Sequence, residues 1–238
     1  MLTITNCKIY DLKESVIACR NAMRIAPPQY TDEEFEASMP RAIKLVQASK
    51  KSDVKCHDNL LTGIRVSFDV TYPQYWTPQA QRYHWFDIVS SASKMHRLTK
   101  MDADKCCNKY VDWDSIETLD KWIKKYNICC DKETTFNPLT VTLRNNEKVY
   151  LKTKEDAIYF FFMKCISNCP CGFELFMRAS TNYKQLQTIY FQRHNHRLRE
   201  DWGAFCKMIE SLPFAHQLII GDKTTIDSVE FNREMAKL

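Results

Sequence analysis

The chain has 238 residues, of which 45% are hydrophobic, 12% aromatic and 26% charged, with a formal net charge of +5. This length suffices for a buried core, and the many aromatic residues exclude general disorder. The charge suits an anionic ligand but is too small to argue for nucleic-acid binding, and the longest strongly apolar run, Ala157 to Met163, is far short of the about 20 residues that a membrane span needs.

The spacing of apolar residues predicts both strands and helices. Alternation is clearest over residues 63–71, which is typical of a half-buried strand. Thr31 with Glu34, and Thr153 with Asp156, have the spacing of helix capping boxes. In chain order, the sequence predicts a strand over 2–10, a helix over 32–48, a strand over 63–71, a helix from 77 through 89, a helix over 113–127, a strand over 146–151, a helix from 153, a strand over 172–179, and helices over 182–195 and 200–211.

These elements predict one domain over 1–238 of the α+β class, because helices and strands do not alternate as they do in a doubly wound sheet. Glycine is scarce: only Gly63, Gly172, Gly203 and Gly221 occur, and no two are close. This spacing excludes a P-loop and a Gly-x-Gly-x-x-Gly turn, since both bring backbone N–H groups onto phosphates through clustered glycines. A bound nucleotide or flavin would therefore be held mostly by side chains.

Eleven cysteines are present, and the N-terminus shows no secretory signal. We therefore expect reduced thiols in a cytoplasmic protein. Cysteines cluster at 106–107, at 129–130 and over 165–171, but the spacing does not supply two Cys-x-x-Cys pairs. Free thiols are expected here, not a metal site.

Three groups of residues are candidates for chemistry. On the predicted helix from Thr77, Gln79, Arg82 and Tyr83 would share one face, with His84 beside them. Arg82 offers planar, bidentate donors to a phosphate or a carbonyl-rich ring. The alternative is a solvated face, which side-chain types alone favour.

The second group lies on the helix over 182–195. Asn182, Leu186, Tyr190 and Arg193 share its apolar face, and an apolar stripe with polar residues at both ends is unusual for pure core. The basic residues that follow, at 194, 196, 197 and 199, are explained as charges that complement the helix dipole, but Arg193 is not, because it shares the apolar face.

The third group is Cys56 and His57, just before the strand over 63–71. A Cys–His pair can indicate a nucleophile, but adjacent side chains seldom point at each other. We therefore favour His57 as a polar residue at the mouth of a ligand site.

Together, these segments resemble the flavin-dependent thymidylate synthases. Gln79 and Arg82 match that family's Gln-x-x-Arg-His-Arg motif, with Tyr83 and His84 in place of its last two residues, and His57 stands where the family has a His-Glu-(Ser/Thr) segment. The resemblance covers about residues 55–210 through short, partly altered motifs.

The later helix extends the resemblance. Asn182, Leu186 and Arg193 match the family's Asn-x-Arg-x-Leu-x-x-Phe-x-x-x-Arg pattern, while Lys184 replaces its first arginine and Ile189 its phenylalanine. The family's Ser-x-Asn-Glu-x-Ser segment is out of register here, with Ser91 one position away, and its Glu-x-Ala-Arg-x-x-Leu-Pro segment is not recognisable.

The resemblance implies an antiparallel-rich sheet flanked by helices and a homotetramer with active sites between subunits. It implies FAD reduced by NADPH, with the methylene group of methylenetetrahydrofolate passed to C5 of dUMP. It assigns the catalytic role to Arg193. It assigns the pyrimidine nucleotide to Gln79, Asn182, Lys184 and Ser91, and the cofactor to His57, Arg82, Tyr83 and His84.

Two alternatives stay open at this stage. One is a related flavin-dependent modification of a pyrimidine nucleotide, such as hydroxymethylation, which the altered motifs favour. The other is a non-catalytic nucleotide-binding homologue that keeps the fold without the chemistry. No membrane partner and no nucleic-acid partner are expected.

Overall fold

The computed structural model describes residues 1–51 and 57–238. The chain divides into two compact units. The small unit comprises Met1, 73–75 and 91–175, and the large unit comprises 2–72, 76–90 and 176–238. The single domain over 1–238 stays a prediction.

The described residues form helices and strands in an irregular order. The strands are β1 (Thr3–Tyr10), β2 (Arg65–Pro73), β3 (Asp87–Ser91), β4 (Leu139–Thr142), β5 (Lys148–Leu151) and β6 (Glu174–Asn182). The α-helices are α1 (Leu12–Ala18), α2 (Asp32–Lys51), α3 (Leu60–Gly63), α4 (Thr77–Ala80), α5 (Lys94–Arg97), α6 (Ala103–Cys106), α7 (Trp113–Cys130), α8 (Lys154–Ser167), α9 (Tyr183–Arg193), α10 (Arg199–Ser211), α11 (Ala215–Leu218) and α12 (Ser228–Met235). Short 3₁₀ turns cover Asn21–Met23 and Leu98–Lys100.

The predicted α+β class is confirmed. One sheet has the strand order β1-β2-β6-β3, and β4 and β5 form an antiparallel hairpin. β1 and β2 are also antiparallel, with Thr3 opposite Thr71 and Tyr10 opposite Arg65. Their register shifts between Thr5 and Lys8, which is the signature of a β-bulge. In the part of the chain that the structure describes, no helix is long and apolar enough to cross a membrane.

One predicted element is wrong. The helix from Thr77 through Val89 ends after four residues at Ala80, and the chain turns before β3 begins at Asp87. The physical reason is the burial of Phe86, whose ring lies 6.1 Å from Trp76 and 5.9 Å from Phe68. In the turn after Ala80 Phe86 is buried among these rings, so tertiary packing overrides the local pattern.

The core of the large unit contains a group of edge-to-face and tilted aromatic rings. Trp76 lies 5.1 Å from Trp202 and 5.9 Å from Phe205, and Phe205 lies 5.7 Å from Phe68. Each such pair contributes about 0.5–1.5 kcal/mol beyond the area that it buries. The rings therefore fix α4 and α10 against β2, which positions the side chains described below.

The small unit has its own core. Its α7 and α8 pack together, with the Trp122 and Phe161 rings stacked at 6.2 Å. The predicted capping box is confirmed at the start of α8, where Thr153 accepts from the Asp156 backbone and Asp156 accepts from the Thr153 backbone. Helix α8 therefore begins where the sequence predicts.

The hydroxyl of Tyr183 gives a test of the large unit's packing. Tyr183 is fully buried and donates to the backbone carbonyl of Pro213 at 2.7 Å. Tyr183→Phe leaves that carbonyl without its partner, so we expect the free energy of unfolding in urea to fall by about 1–3 kcal/mol. Tyr159→Phe, at a site that is 68% exposed, is the control and should change it little. Equal effects of the two substitutions would contradict the structure.

Candidate functional site

Helix α9 carries Arg193 at the end of a buried face. Asn182 caps the helix, its side-chain oxygen accepting from the Gln185 N–H at 2.8 Å. Leu186 and Ile189 are fully buried on that face, and Arg193, one turn beyond Ile189, is half-buried. The helix thus holds a permanent positive charge at the edge of the core.

The guanidinium of Arg193 is fixed on several sides. Its Nε donates to the Tyr83 hydroxyl at 2.7 Å, and its Nη1 donates to the Gln79 side-chain carbonyl at 3.2 Å. Its central carbon lies 4.7 Å from the Trp202 ring centroid and 5.5 Å from that of Tyr83. Cation–π contacts of this kind contribute about 0.5–2 kcal/mol each. We call Gln79, Tyr83, Arg193 and Trp202 the Arg193 cluster.

The partners of Arg193 are themselves held in place. The Gln79 carbonyl oxygen also accepts from the Trp202 indole N–H at 3.0 Å, and the Tyr83 hydroxyl donates to the Gln192 side chain at 3.1 Å. Trp202 is 1% exposed and Tyr83 8% exposed. Among the described contacts, two of the five N–H donors of Arg193 are used, so three remain for a ligand.

Helix α10 is tied to α9 beside this cluster. The Tyr190 hydroxyl donates to Glu210 at 3.0 Å. Burial, with the Glu210 hydrogen bond, raises the pKa of Tyr190 to about 12, so it stays protonated. His194 stacks on the Tyr190 ring at 5.6 Å. The Tyr190–Glu210 hydrogen bond connects the C-terminal half of α9 to the C-terminal end of α10.

His196 lies between the two helices. Its ring is 6.2 Å from that of Trp202, and its Nδ1 accepts from the Leu198 backbone N–H at 3.1 Å. Burial lowers the pKa of His196, and the nearby charges of Arg193 and Arg197 lower it further. His196 is therefore neutral at pH 7 with its proton on Nε2.

Two of the residues that the resemblance assigns to the nucleotide have structural partners. Asn182 is buried as the cap of α9. Lys184 forms an ion pair with Asp58, which is 3% exposed, and contacts the Gln187 side chain at 3.4 Å. A buried carboxylate needs such a cation, so the Lys184 charge already has a role in the fold. Their binding of a nucleotide stays a prediction.

The expected shared helix face of Gln79, Arg82 and Tyr83 is wrong, because α4 ends at Ala80. The turn that follows buries Tyr83 in the Arg193 cluster and leaves Arg82 and His84 exposed. The exposed Trp85 ring lies 4.6 Å from the His84 ring, and the Trp85 backbone N–H donates to the Gln185 side-chain oxygen at 3.2 Å. We call residues 82, 84 and 85 the exposed turn.

His57 is exposed and lines two neighbouring clefts in the large unit. The smaller, of about 360 Å³, lies against α1 and α3, and the larger, of about 730 Å³, is also lined by Arg20 and Arg41. Clefts of this volume are typical of small-molecule sites. The position of His57 therefore suits a ligand mouth, and its role there stays a prediction.

The remaining candidates are Ser91 and the cysteines. Ser91 is the exposed last residue of β3 and belongs to the small unit. Cys56 lies outside the described residues, so the Cys56–His57 pairing is untested. All ten described cysteines are free thiols, and the described residues contain no group of three or more His, Cys, Asp or Glu side chains suited to a metal ion.

Sequence reasoning missed Trp202 and His196. The amphipathic pattern over 200–211 placed Trp202 on a helix, but nothing in that pattern indicates that its indole N–H meets Gln79 across 123 positions. His196 lies in a short connection between helices, where its partner Arg193 is close in sequence but its packing against Trp202 is set by the tertiary fold.

Comparison with known proteins identifies the fold. No protein-family model and no curated protein matches the sequence. A crystal structure of flavin-dependent thymidylate synthase ThyX from Helicobacter pylori, complexed with FAD and dUMP, superposes with a TM-score of 0.58 at 14% identity, covering 93% of this chain and 98% of that one. A second ThyX structure from the same organism with FAD and dUMP gives 0.55 at 13% identity with the same coverage. The chain therefore has the flavin-dependent thymidylate synthase fold.

Substitution of Arg193 should be visible at His196. Removing the charge in Arg193→Gln is expected to raise the pKa of His196 toward its ordinary value of 6.5, as measured by NMR titration of the imidazole. Because the folded pKa is lowered, His196 costs stability as pH falls through 6.5 toward the folded value, and this loss should shrink in the variant.

Arg233→Gln is the matched control for this titration. Arg233 lies on α12 and pairs with Glu230 at 3.4 Å and Glu234 at 3.5 Å. Its removal should leave the His196 titration unchanged. If both variants move the His196 pKa equally, the effect is one of net charge and the local contact with Arg193 does not cause it.

Proposed function

We propose that this protein is a divergent flavin-dependent thymidylate synthase, which methylates dUMP at C5 with methylenetetrahydrofolate as carbon donor and NADPH as reductant of FAD. The observation that carries the proposal is the Arg193 cluster. Gln79 and Arg193 both match positions of the family's motifs, and here Arg193 donates to the Gln79 side-chain carbonyl at 3.2 Å. The shared fold, over 93% of the chain, supports the same reading.

The Arg193 cluster suits a reaction that places negative charge on a pyrimidine ring. When C5 of the uracil attacks an electrophile, charge develops on the ring and its carbonyl oxygens. A planar guanidinium with three remaining N–H donors can stabilise that charge. Because Gln79, Tyr83 and Trp202 already fix its position, little reorganisation is needed when the charge develops.

The side chains near this cluster fit FAD by their chemistry. The exposed turn offers a guanidinium from Arg82 for a diphosphate and a solvent-accessible indole from Trp85, 52% exposed, for a flat ring. Bound FAD would supply the redox chemistry. In this proposal Arg82 and His84 hold it, while Tyr83 orients Arg193 through its hydroxyl.

The proposal also assigns the substrate residues, the entrance of the site and the assembly. The nucleotide is bound by Gln79, Asn182, Lys184 and Ser91. His57 lies at the entrance through which methylenetetrahydrofolate or NADPH reaches the site. The exposed position of Arg82, His84 and Trp85 supports a flavin site completed by neighbouring subunits, hence a homotetramer. The free thiols support a reducing, cytoplasmic setting.

The Lys184–Asp58 ion pair favours a second candidate, a homologue that binds a different nucleotide or binds without catalysis. In that pair a buried carboxylate neutralises the charge that replaces the family's first motif arginine. A ligand would have to share this cation with Asp58. A related modification such as hydroxymethylation belongs to the same candidate.

Flavin binding is tested with Arg82. We expect the purified protein to bind FAD, seen by its visible absorbance, and Arg82→Ala to weaken binding by at least about 1.5 kcal/mol, or roughly tenfold, the lower range for a hydrogen bond to a charged group. Arg144→Ala, at another exposed arginine between β4 and β5, is the control. Identical FAD titrations of the two variants would remove Arg82 from the site.

Catalysis is tested with Arg193→Lys, which keeps the charge and loses the planar fork. We expect the variant to keep the fold and FAD but to release tritium from C5-labelled dUMP about a hundredfold more slowly or worse. Arg233→Lys should release tritium at the unsubstituted rate. Equal release in all three proteins would show that Arg193 is only a helix-end charge.

No release by any of them, with FAD bound, would favour the second candidate. A protein that cannot be loaded with FAD, yet binds dUMP, would reduce the proposal to a nucleotide-binding homologue. These outcomes differ in the absorbance spectrum and in the tritium assay, so they separate loss of cofactor from loss of chemistry.

A further inference from the structure

A second basic feature lies beside the Arg193 cluster. A cleft of about 410 Å³ opens between the end of α9 and the first turns of α10. Its lining residues are polar, basic or glycine: Arg193, His194, Asn195, His196, Arg199 and Gly203. No carboxylate is among these described lining residues. We call it the basic cleft.

The arginines at the basic cleft take part in none of the described ion pairs. Among the described ion pairs, Arg24, Arg178 and Arg233 each meet a carboxylate, but none includes Arg193, Arg197 or Arg199. Asp201 in the first turn of α10 is buried and accepts from the Leu2 backbone N–H at 3.0 Å. Glu200, in the same turn, is not among the residues that line the cleft, so the lining itself is positively charged.

The histidines add donors of fixed orientation. The Leu198 N–H donates to Nδ1 of His196, which places the His196 proton on Nε2 even in the neutral ring. His194 donates from Nδ1 to the Tyr190 carbonyl at 3.1 Å and stacks on the Tyr190 ring. Both rings are therefore held in place before any ligand binds.

The presence of a glycine at position 203, inside a helix, is not explained by helix propensity. Gly203 lies inside the 13-residue helix α10, where glycine costs about 1 kcal/mol relative to alanine. A Cβ at this position would meet nothing within 4 Å, so no neighbouring atom requires the absence of a side chain. The glycine therefore leaves open space on the wall of the basic cleft.

We propose that the basic cleft binds a phosphoryl group. Arg199 supplies a planar fork that matches phosphate oxygens, Arg193 offers its remaining donors, and His196 offers Nε2–H. Glycine-rich loops bind phosphate through backbone N–H groups. This chain has no such loop, and the cleft would bind phosphate through side chains instead.

The proposal stands apart from the proposed reaction, because it needs only an anion and the residues of the cleft. The phosphoryl group has two possible sources, the nucleotide monophosphate or the diphosphate of the flavin. Their shared chemistry is the phosphate oxygen, and competition by intact and dephosphorylated ligands distinguishes the two.

The first experiment is titration of the full chain with inorganic phosphate at low ionic strength, followed by NMR of the histidine rings. Phosphate should raise the pKa of His196, which faces Arg193, Arg197 and the Trp202 ring, because an added anion favours the protonated imidazole. Arg199→Gln should weaken phosphate binding by about tenfold or more. Lys207→Gln, which removes one exposed charge from the same helix two turns on, should change it less than twofold.

The second experiment uses Gly203. Gly203→Glu and Gly203→Gln both place a longer side chain at the cleft wall and should both fold, because nothing opposes a Cβ there. The carboxylate of the glutamate variant should weaken phosphate binding at least tenfold more than the neutral glutamine does. Circular dichroism confirms that the helices are retained.

Competition then identifies the source. Displacement of phosphate by dUMP but not by deoxyuridine assigns the cleft to the nucleotide, and displacement by FAD but not by riboflavin assigns it to the flavin. If neither phosphorylated compound displaces phosphate, or if Arg199→Gln and Lys207→Gln weaken binding equally, the cleft is not a phosphoryl site. Phosphate binding that depends on Arg199, in a protein that releases no tritium from dUMP, would leave this site standing whatever the reaction is.

Discussion

The carbonyl oxygen of Gln79 accepts one N–H from Arg193 and one from Trp202, and this shared acceptor joins three helices. The two N–H groups lie 3.2 and 3.0 Å from this oxygen, so α4, α9 and α10 meet at one side chain. Removing the acceptor would leave the indole N–H of a nearly fully buried tryptophan without its partner, which costs about 1–3 kcal/mol. Core and candidate site therefore depend on the same hydrogen bonds.

The aromatic core packs around this arrangement. Phe86 and Trp76 pack on one side, and Phe205 packs beside Trp202 on α10. The short α4 and the turn after it present Gln79 and Tyr83 to Arg193, and the same turn buries Phe86 in this core. An arginine fixed by packing, a hydroxyl and an amide is preorganised, and preorganised charge is more effective against a developing anion than a mobile side chain.

Arg193 lines two different environments. One side of its guanidinium meets Tyr83, Gln79 and the Trp202 ring, and the residue also lines the basic cleft with His196 and Arg199. A phosphoryl group in the cleft and a pyrimidine near the cluster would both depend on this one cation. Because glycine is scarce, the proposed sites would bind anions through side chains and not through backbone amides, and such binding would be sensitive to single substitutions and to salt.

The sequence by itself determined several local elements and singled out Arg193 by its position. Alternation over 63–71 predicts β2, the Thr153–Asp156 spacing predicts the start of α8, and the position of Arg193 on an apolar face marks it as unusual. Only the tertiary structure decided where the chain turns after Ala80, that Tyr83 is buried while Arg82 is exposed, and that Trp202 and His196 meet Arg193. The physical reason is range: caps and periodicity act within a few residues, whereas the Gln79–Trp202 hydrogen bond and the burial of Phe86 join segments more than 100 positions apart, which no local pattern encodes.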